Sequence, residues 1–117
     1  MPLGAVGQFA LFDVTIEAGV ANRVFTTVAP FPCQVLSMYS AAGAADATDK
    51  FRAILRTAAD VALLTGGDVV AADTVITNTA DNVYIGKDQV VELLIDYSGT
   101  AANVKAAKVV VWAIGKR

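Results

Sequence analysis

Two stretches toward the C-terminal end carry the clearest alternation of apolar and polar positions. In residues 90–97, Val91, Leu93, Ile95 and Tyr97 fall on one side of a period-two pattern, and Val90, Glu92, Leu94 and Asp96 on the other. One side is apolar and the other half charged, the pattern of a half-buried β-strand. Residues 108–114 are apolar on both sides, with Val109, Val111 and Ala113 against Val110, Trp112 and Ile114. A strand of that kind is covered on both faces, inside a sandwich or by another subunit. The two are expected to be partner strands, joined by a turn and loop over 98–107.

The same periodicity organises the rest of the chain. Residues 1–8, with Pro2, Gly4 and Gly7, read as an arm, and 9–117 as one β-sandwich domain. The arm is either a loose terminus or, through Leu3 and Val6, a contact with a neighbouring subunit. Residues 9–17 alternate, predicting Ala10, Phe12, Val14 and Ile16 inward and Leu11, Asp13, Thr15 and Glu17 outward. Ala18-Gly19 turns the chain into a β-branched and aromatic strand over Arg23–Val28. Pro30 and Pro32 then suit a crossing between two sheets, and Cys33–Ala41 resumes as a strand.

Residues 50–64 fit two templates. Phe51, Ile54, Leu55, Ala58 and Ala62 form a helical stripe, with Thr48 or Asp49 as its N-cap. Arg52, Ile54 and Arg56 also alternate with Phe51, Ala53, Leu55 and Thr57, as a strand requires. A hairpin turning at Ala58-Ala59-Asp60 and returning over 61–65 agrees better with the neighbouring strands. Short strands are expected at 74–77 and 82–85, then a tight turn over 86–89. About eight strands at intervals of roughly ten residues predict an all-β, single-domain antiparallel sandwich, jelly-roll-like, with a short N-terminal arm.

Composition narrows the function classes. The chain is 117 residues long, 56% hydrophobic and only 17% charged, against a typical charged share of about 25%. So little charge leaves apolar surface for subunit contacts. A net charge of −2 with scattered basic residues argues against a nucleic-acid partner. Lys50, Arg52 and Arg56 are expected to edge a strand face instead. No apolar run approaches the roughly 18 residues of a membrane span, and the N-terminus lacks a basic leader. A soluble chain made in a cytoplasm is expected.

The chain contains no histidine, so triads, His general bases and His-ligated zinc have no residue to work with. Cys33 stands alone and reads as a small buried hydrophobe rather than a nucleophile. Asp46, Asp49, Asp68, Asp73, Asp81 and Asp88 occupy turns, where aspartate normally hydrogen-bonds the backbone; no calcium-loop pattern joins them. Glu92 and Asp96 share a strand face with a spacing open to paired-carboxylate chemistry, although a solvated face is the simpler reading. Tyr39, Tyr84, Tyr97 and Trp112 are candidates for stacking on sugar rings. No catalytic residue, cofactor or metal is assigned, and the chain is not expected to be an enzyme.

The order of parts resembles a family. A strand leads to a Pro-broken crossing and a hairpin, then to Val83-Tyr84-Ile85-Gly86-Lys87-Asp88-Gln89, Val90-Val91-Glu92-Leu93-Leu94-Ile95-Asp96-Tyr97 and a final Val109-Val110-Val111-Trp112-Ala113-Ile114. This is similar to the small β-sandwich or jelly-roll virion proteins of tailed bacteriophages, most of all the capsid decoration (cement) proteins. The resemblance covers most of the chain and rests on strand rhythm, Ala/Val/Thr composition and acidic turns. It implies a homo-oligomer, trimer favoured, on the outer capsid surface, bracing the major capsid protein without catalysis. The alternative is a carbohydrate- or receptor-binding sandwich of a fibre or tail. The residues expected to make contacts are Leu3, Val6, Phe9 and Leu94.

Overall fold

The structure, a computed structural model, describes residues 7–115. Its elements are β1 (Gln8–Ala18), β2 (Arg23–Val28), β3 (Cys33–Ala41), β4 (Lys50–Thr57), β5 (Ala62–Thr65), β6 (Ile76–Thr79), β7 (Tyr84–Ile85), β8 (Val90–Ser98) and β9 (Lys105–Gly115), with one 3-10 turn over Ala101–Asn103. One sheet has the order β1-β9-β3-β6, with β7 also on β3; the other has the order β2-β8-β4-β5. Every described pairing is antiparallel. The chain crosses between sheets at nearly every connection and stays in one sheet only at the β4–β5 hairpin and from β6 to β7. Two four-stranded sheets filled in this order make a jelly roll, to which β7 adds a short flank.

The Pro-broken segment is a sheet crossing, carrying the chain from β2 to β3. Residues 50–65 form the hairpin β4–β5. Its turn is held by the Thr57 hydroxyl, which accepts from the backbone N–H of Ala59 (3.3 Å) and Val61 (3.2 Å), while Asp60 takes the left-handed conformation (φ 65°).

Three expectations are corrected. Strands β8 and β9 do not pair; each lies inside a different sheet, β8 between β2 and β4 and β9 between β1 and β3. Both are apolar enough on one side to serve as the centre of a sheet, so they face one another across the core instead of sharing a ladder. In β1 the register shifts between Ala10 and Phe12. This bulge makes Leu11 and Phe12 both buried and leaves Ala10 exposed, reversing the expected sides of Ala10 and Leu11; one extra residue flips every side chain before it. Last, β6 begins at Ile76, two residues late, so Asn78 and Thr79 are strand and not turn. The Asn78 side chain instead accepts from the Gly67 backbone N–H at 3.0 Å, tying β6 to the Gly66-Gly67 loop.

The core lies between the sheets. From β9 it takes Val109, Val111 and Ala113, from β8 Val91, Leu93 and Ile95, from β4 Phe51, Ala53 and Leu55, and from β3 Val35 and Met38, all essentially without solvent contact. The core is filled mainly by small and β-branched residues around a few large anchors such as Phe51 and Met38.

Two local features make predictions. Gly99 sits at φ 78°, and a Cβ there would overlap the Thr48 carbonyl oxygen. Gly99→Ala therefore lowers stability by about 1–3 kcal/mol, measured by denaturant unfolding; an unchanged midpoint contradicts this close approach. Ser40 is buried, and its Oγ has no hydrogen-bond partner among the described residues. Removing a buried hydroxyl without a partner relieves its desolvation penalty, so Ser40→Ala is expected to raise stability by about 1 kcal/mol.

Candidate functional site

The outer faces of the two sheets differ in chemistry, and the difference starts in the sequence periodicity. On the outside of the four-stranded sheet, β8 presents Glu92, Leu94 and Asp96 opposite Arg56, Ile54 and Arg52 of β4. Arg56 Nε binds Glu92 Oε1 at 2.9 Å and Arg52 Nε binds Asp96 Oδ2 at 3.2 Å. Asp60 adds a third carboxylate to the group, 3.5 Å from Arg56, and Asn22 donates to Asp96 at 3.1 Å. Lys50, Arg52 and Arg56 thus edge a strand face, as the sequence indicates. Each of Glu92 and Asp96 has its own arginine, and Leu94 stands between them. With both carboxylates engaged by guanidinium groups, the pair is an ion-paired ladder.

Leu94 is half-buried between Val24 and Ile54, its cross-strand neighbours. Phe9 is also half-buried, its ring edge-on to Phe31 at 5.2 Å between centroids, closing one end of the core. Leu3 and Val6 lie outside the described residues. The two described residues of the four expected to make contacts, Phe9 and Leu94, lie on different sheets.

The outside of the β1-β9-β3-β6 sheet carries little charge and has an apolar strip along β9. Residues directly paired across a sheet share a face, so the registers define its rows. One row is Gln8, Ile114, Gln34 and Tyr84; the next is Ala10, Trp112, Ser37 and Thr79; the third is Asp13, Val110, Tyr39 and Thr77. Thr15, Lys108 and Ala41 follow. Two bulges, at Leu11 in β1 and at Leu36 in β3, meet β9 on either side of Trp112 and keep its row aligned. The first two rows contain no charged residue. Asp13 and Lys108, 3.7 Å apart, close the patch at one corner.

Val110, Trp112 and Ile114 are only half-buried, and Val75 and Tyr84 are about 60% exposed (60% and 59%). So β9 is covered on its inner face and open on its outer one. Beside Tyr39, Ala41, Val75, Lys108 and Val110 the face sinks into an open depression of about 220 Å³, lined almost wholly by apolar atoms. Sequence reasoning singled out the two-sided β9 but missed Val75 and Tyr39 as its neighbours. The signal was present: β3 alternates, and Tyr39 falls opposite buried Met38.

Several titratable groups elsewhere serve the fold. Asp46 accepts from the backbone N–H of Thr48 (2.8 Å) and Asp49 (2.7 Å). Asp49 accepts from the Thr100 N–H at 2.7 Å and the Asn103 amide at 3.0 Å, linking the loop before β4 to the turn before β9. Those bonds hold its carboxyl below the ordinary range. Burial pushes the Cys33 thiol up, as suits an inert core residue. Burial also pushes the Tyr97 hydroxyl up, partly opposed by Arg23; its ring faces Phe51 at 6.2 Å and is turned away from the apolar outer face. No group of three or more Cys, Asp or Glu able to hold a metal ion occurs among the described residues. No protein-family model and no curated protein matches the chain.

The Asp49 network predicts a pH dependence. A carboxyl with a lower pKa in the folded state stabilises the fold above its unfolded value, and that contribution is lost as pH falls through the folded value. Melting temperature should fall as pH drops below about 4, and Asp49→Asn should flatten that fall while lowering the melting temperature at neutral pH. Parallel curves for the two proteins would contradict the linkage.

Proposed function

We propose that the protein is a structural virion component, a capsid decoration or cement protein that stabilises a phage head through lattice contacts and performs no catalysis. The observation that carries this reading is the pairing of a jelly roll with one sparsely charged, half-open sheet face. Glu92 and Asp96 are each taken up by an arginine, and Lys108 beside the depression pairs with Asp13. What the molecule offers a partner is surface. Jelly rolls recur in viral capsid proteins and in lectins, and a fold by itself does not choose between them. The strand rhythm and composition noted in the sequence favour the capsid, with the major capsid protein and further copies of this chain as partners and the outer head surface as its location.

A second reading has one observation in its favour. Tyr39, Trp112 and Tyr84 lie on the same outer face, and exposed aromatics on a flat sheet are suited to sugar rings. Tyr97, the fourth aromatic considered for sugar stacking, lies on the other sheet and packs inward. The carbohydrate- or receptor-binding module is accordingly the alternative.

Immunogold electron microscopy on intact virions from the source culture, with antibodies against this chain, separates them. Regular label over the heads is the expected result. Label confined to fibres or tail tips transfers the assignment to the binding module, and unlabelled virions overturn both.

A further inference from the structure

We propose that the outer face of the β1-β9-β3-β6 sheet is a two-fold self-association surface, in which Tyr84 of each copy enters the depression beside Val75 on the other. The occupant is a second copy of this chain because the face carries both halves of the contact. Tyr84 stands out at one end of it, in the Ile114 row. The depression lies at the other end, about the Val110 and Lys108 rows. Val75, on the rim of the depression, and Tyr84 are both on the β6–β7 side of β3, while the depression itself reaches across β3 to Lys108 and Val110 of β9.

A two-fold axis in the plane of contact, perpendicular to the strands and between the Trp112 and Val110 rows, exchanges those ends. It sets Tyr84 against the depression twice over, and Trp112 of one copy against Val110 of the other. Such a contact is isologous, each residue pair occurring twice.

The charges allow this arrangement. The axis brings Asp13 against the uncharged Ala10 row and Lys108 against the uncharged Ile114 row, so no like charges meet. The opposite outer face, with its ladder of arginines and carboxylates, would have to desolvate several ion pairs to do the same. Size is adequate for a reversible dimer. Four strands about 4.8 Å apart and seven residues at about 3.4 Å give roughly 450 Å² of flat area per copy. Two copies make roughly 900 Å² before side-chain relief is added, close to the ~1,000 Å² at which specific interfaces begin. Tyrosine is suited to the protruding role, bringing a large rigid ring at small conformational cost.

The test is sedimentation velocity on the purified full chain from micromolar to millimolar concentration. The wild type should pass reversibly from 12.1 kDa to twice that mass. Tyr84→Arg and Val75→Asp, both at exposed positions, should each weaken association by about tenfold or more. The double variant should recover most of the loss, because the two-fold brings the introduced guanidinium to the introduced carboxylate. Val20→Asp, at a 90% exposed position in the β1–β2 connection, should leave association unchanged.

A monomer throughout, a trimer, association indifferent to the single variants, or a double variant as weak as they are overturns the pairing. The virion reading is judged separately. A strictly monomeric protein that still labels heads removes the two-fold and keeps that reading, whereas a dimer absent from virions does the reverse.

Discussion

Strand β9 has apolar side chains on both sides and a single core to receive them. Val109, Val111 and Ala113 fill the sandwich interior, and geometry then forces Val110, Trp112 and Ile114 outward, because successive side chains of a strand point to opposite faces. Nothing in the described chain covers them fully. Burying the outer set instead would require a one-residue slip, exposing the inner set and breaking both ladders. The bulges at Leu11 and Leu36 show how firmly this register is held. Each adds a residue to a neighbouring strand while Trp112 keeps its place between Ala10 and Ser37.

The two sheets handle their outer faces differently. On the four-stranded sheet, cross-strand arginine–carboxylate pairs make a face that is content in water, and Leu94 is a minor apolar island among them. Individually such surface pairs add little stability, but they leave the face poorly suited to an apolar partner. The other sheet omits charge from its Ile114 and Trp112 rows. A face of that size, left open on an isolated molecule, is the kind of surface that normally meets another protein. The functional proposal rests on this asymmetry.

Much of the architecture was legible in the sequence because it rests on period-two patterns that tertiary structure had no reason to override. The inner set of β8, the sheet crossing at Pro30 and Pro32 and the bounds of β2 and β3 all follow from residues that punctuate or alternate. The hairpin over residues 50–65 was decided by its neighbours, and the Thr57 hydroxyl and Asp60 turn supply the local reason. What could not be read is instructive. A bulge leaves no periodic trace, so Ala10 and Leu11 came out on the wrong sides. Strand pairing is a long-range property, so β8 and β9 looked like partners when they are counterparts in opposite sheets. The candidate face was half visible: β9 announced it, but Tyr39, Val75 and Tyr84 join it only through the register with β3.

Trp112 is the single tryptophan of the chain and sits in the middle of the proposed contact face, so its fluorescence reports on that face alone. The most direct measurement is acrylamide quenching of its emission across a wide dilution series. The account predicts a shielded, blue-shifted indole at high concentration that becomes more quenchable and red-shifted as the protein is diluted. Emission and quenching that stay constant throughout, with the mass remaining that of a monomer, would contradict it.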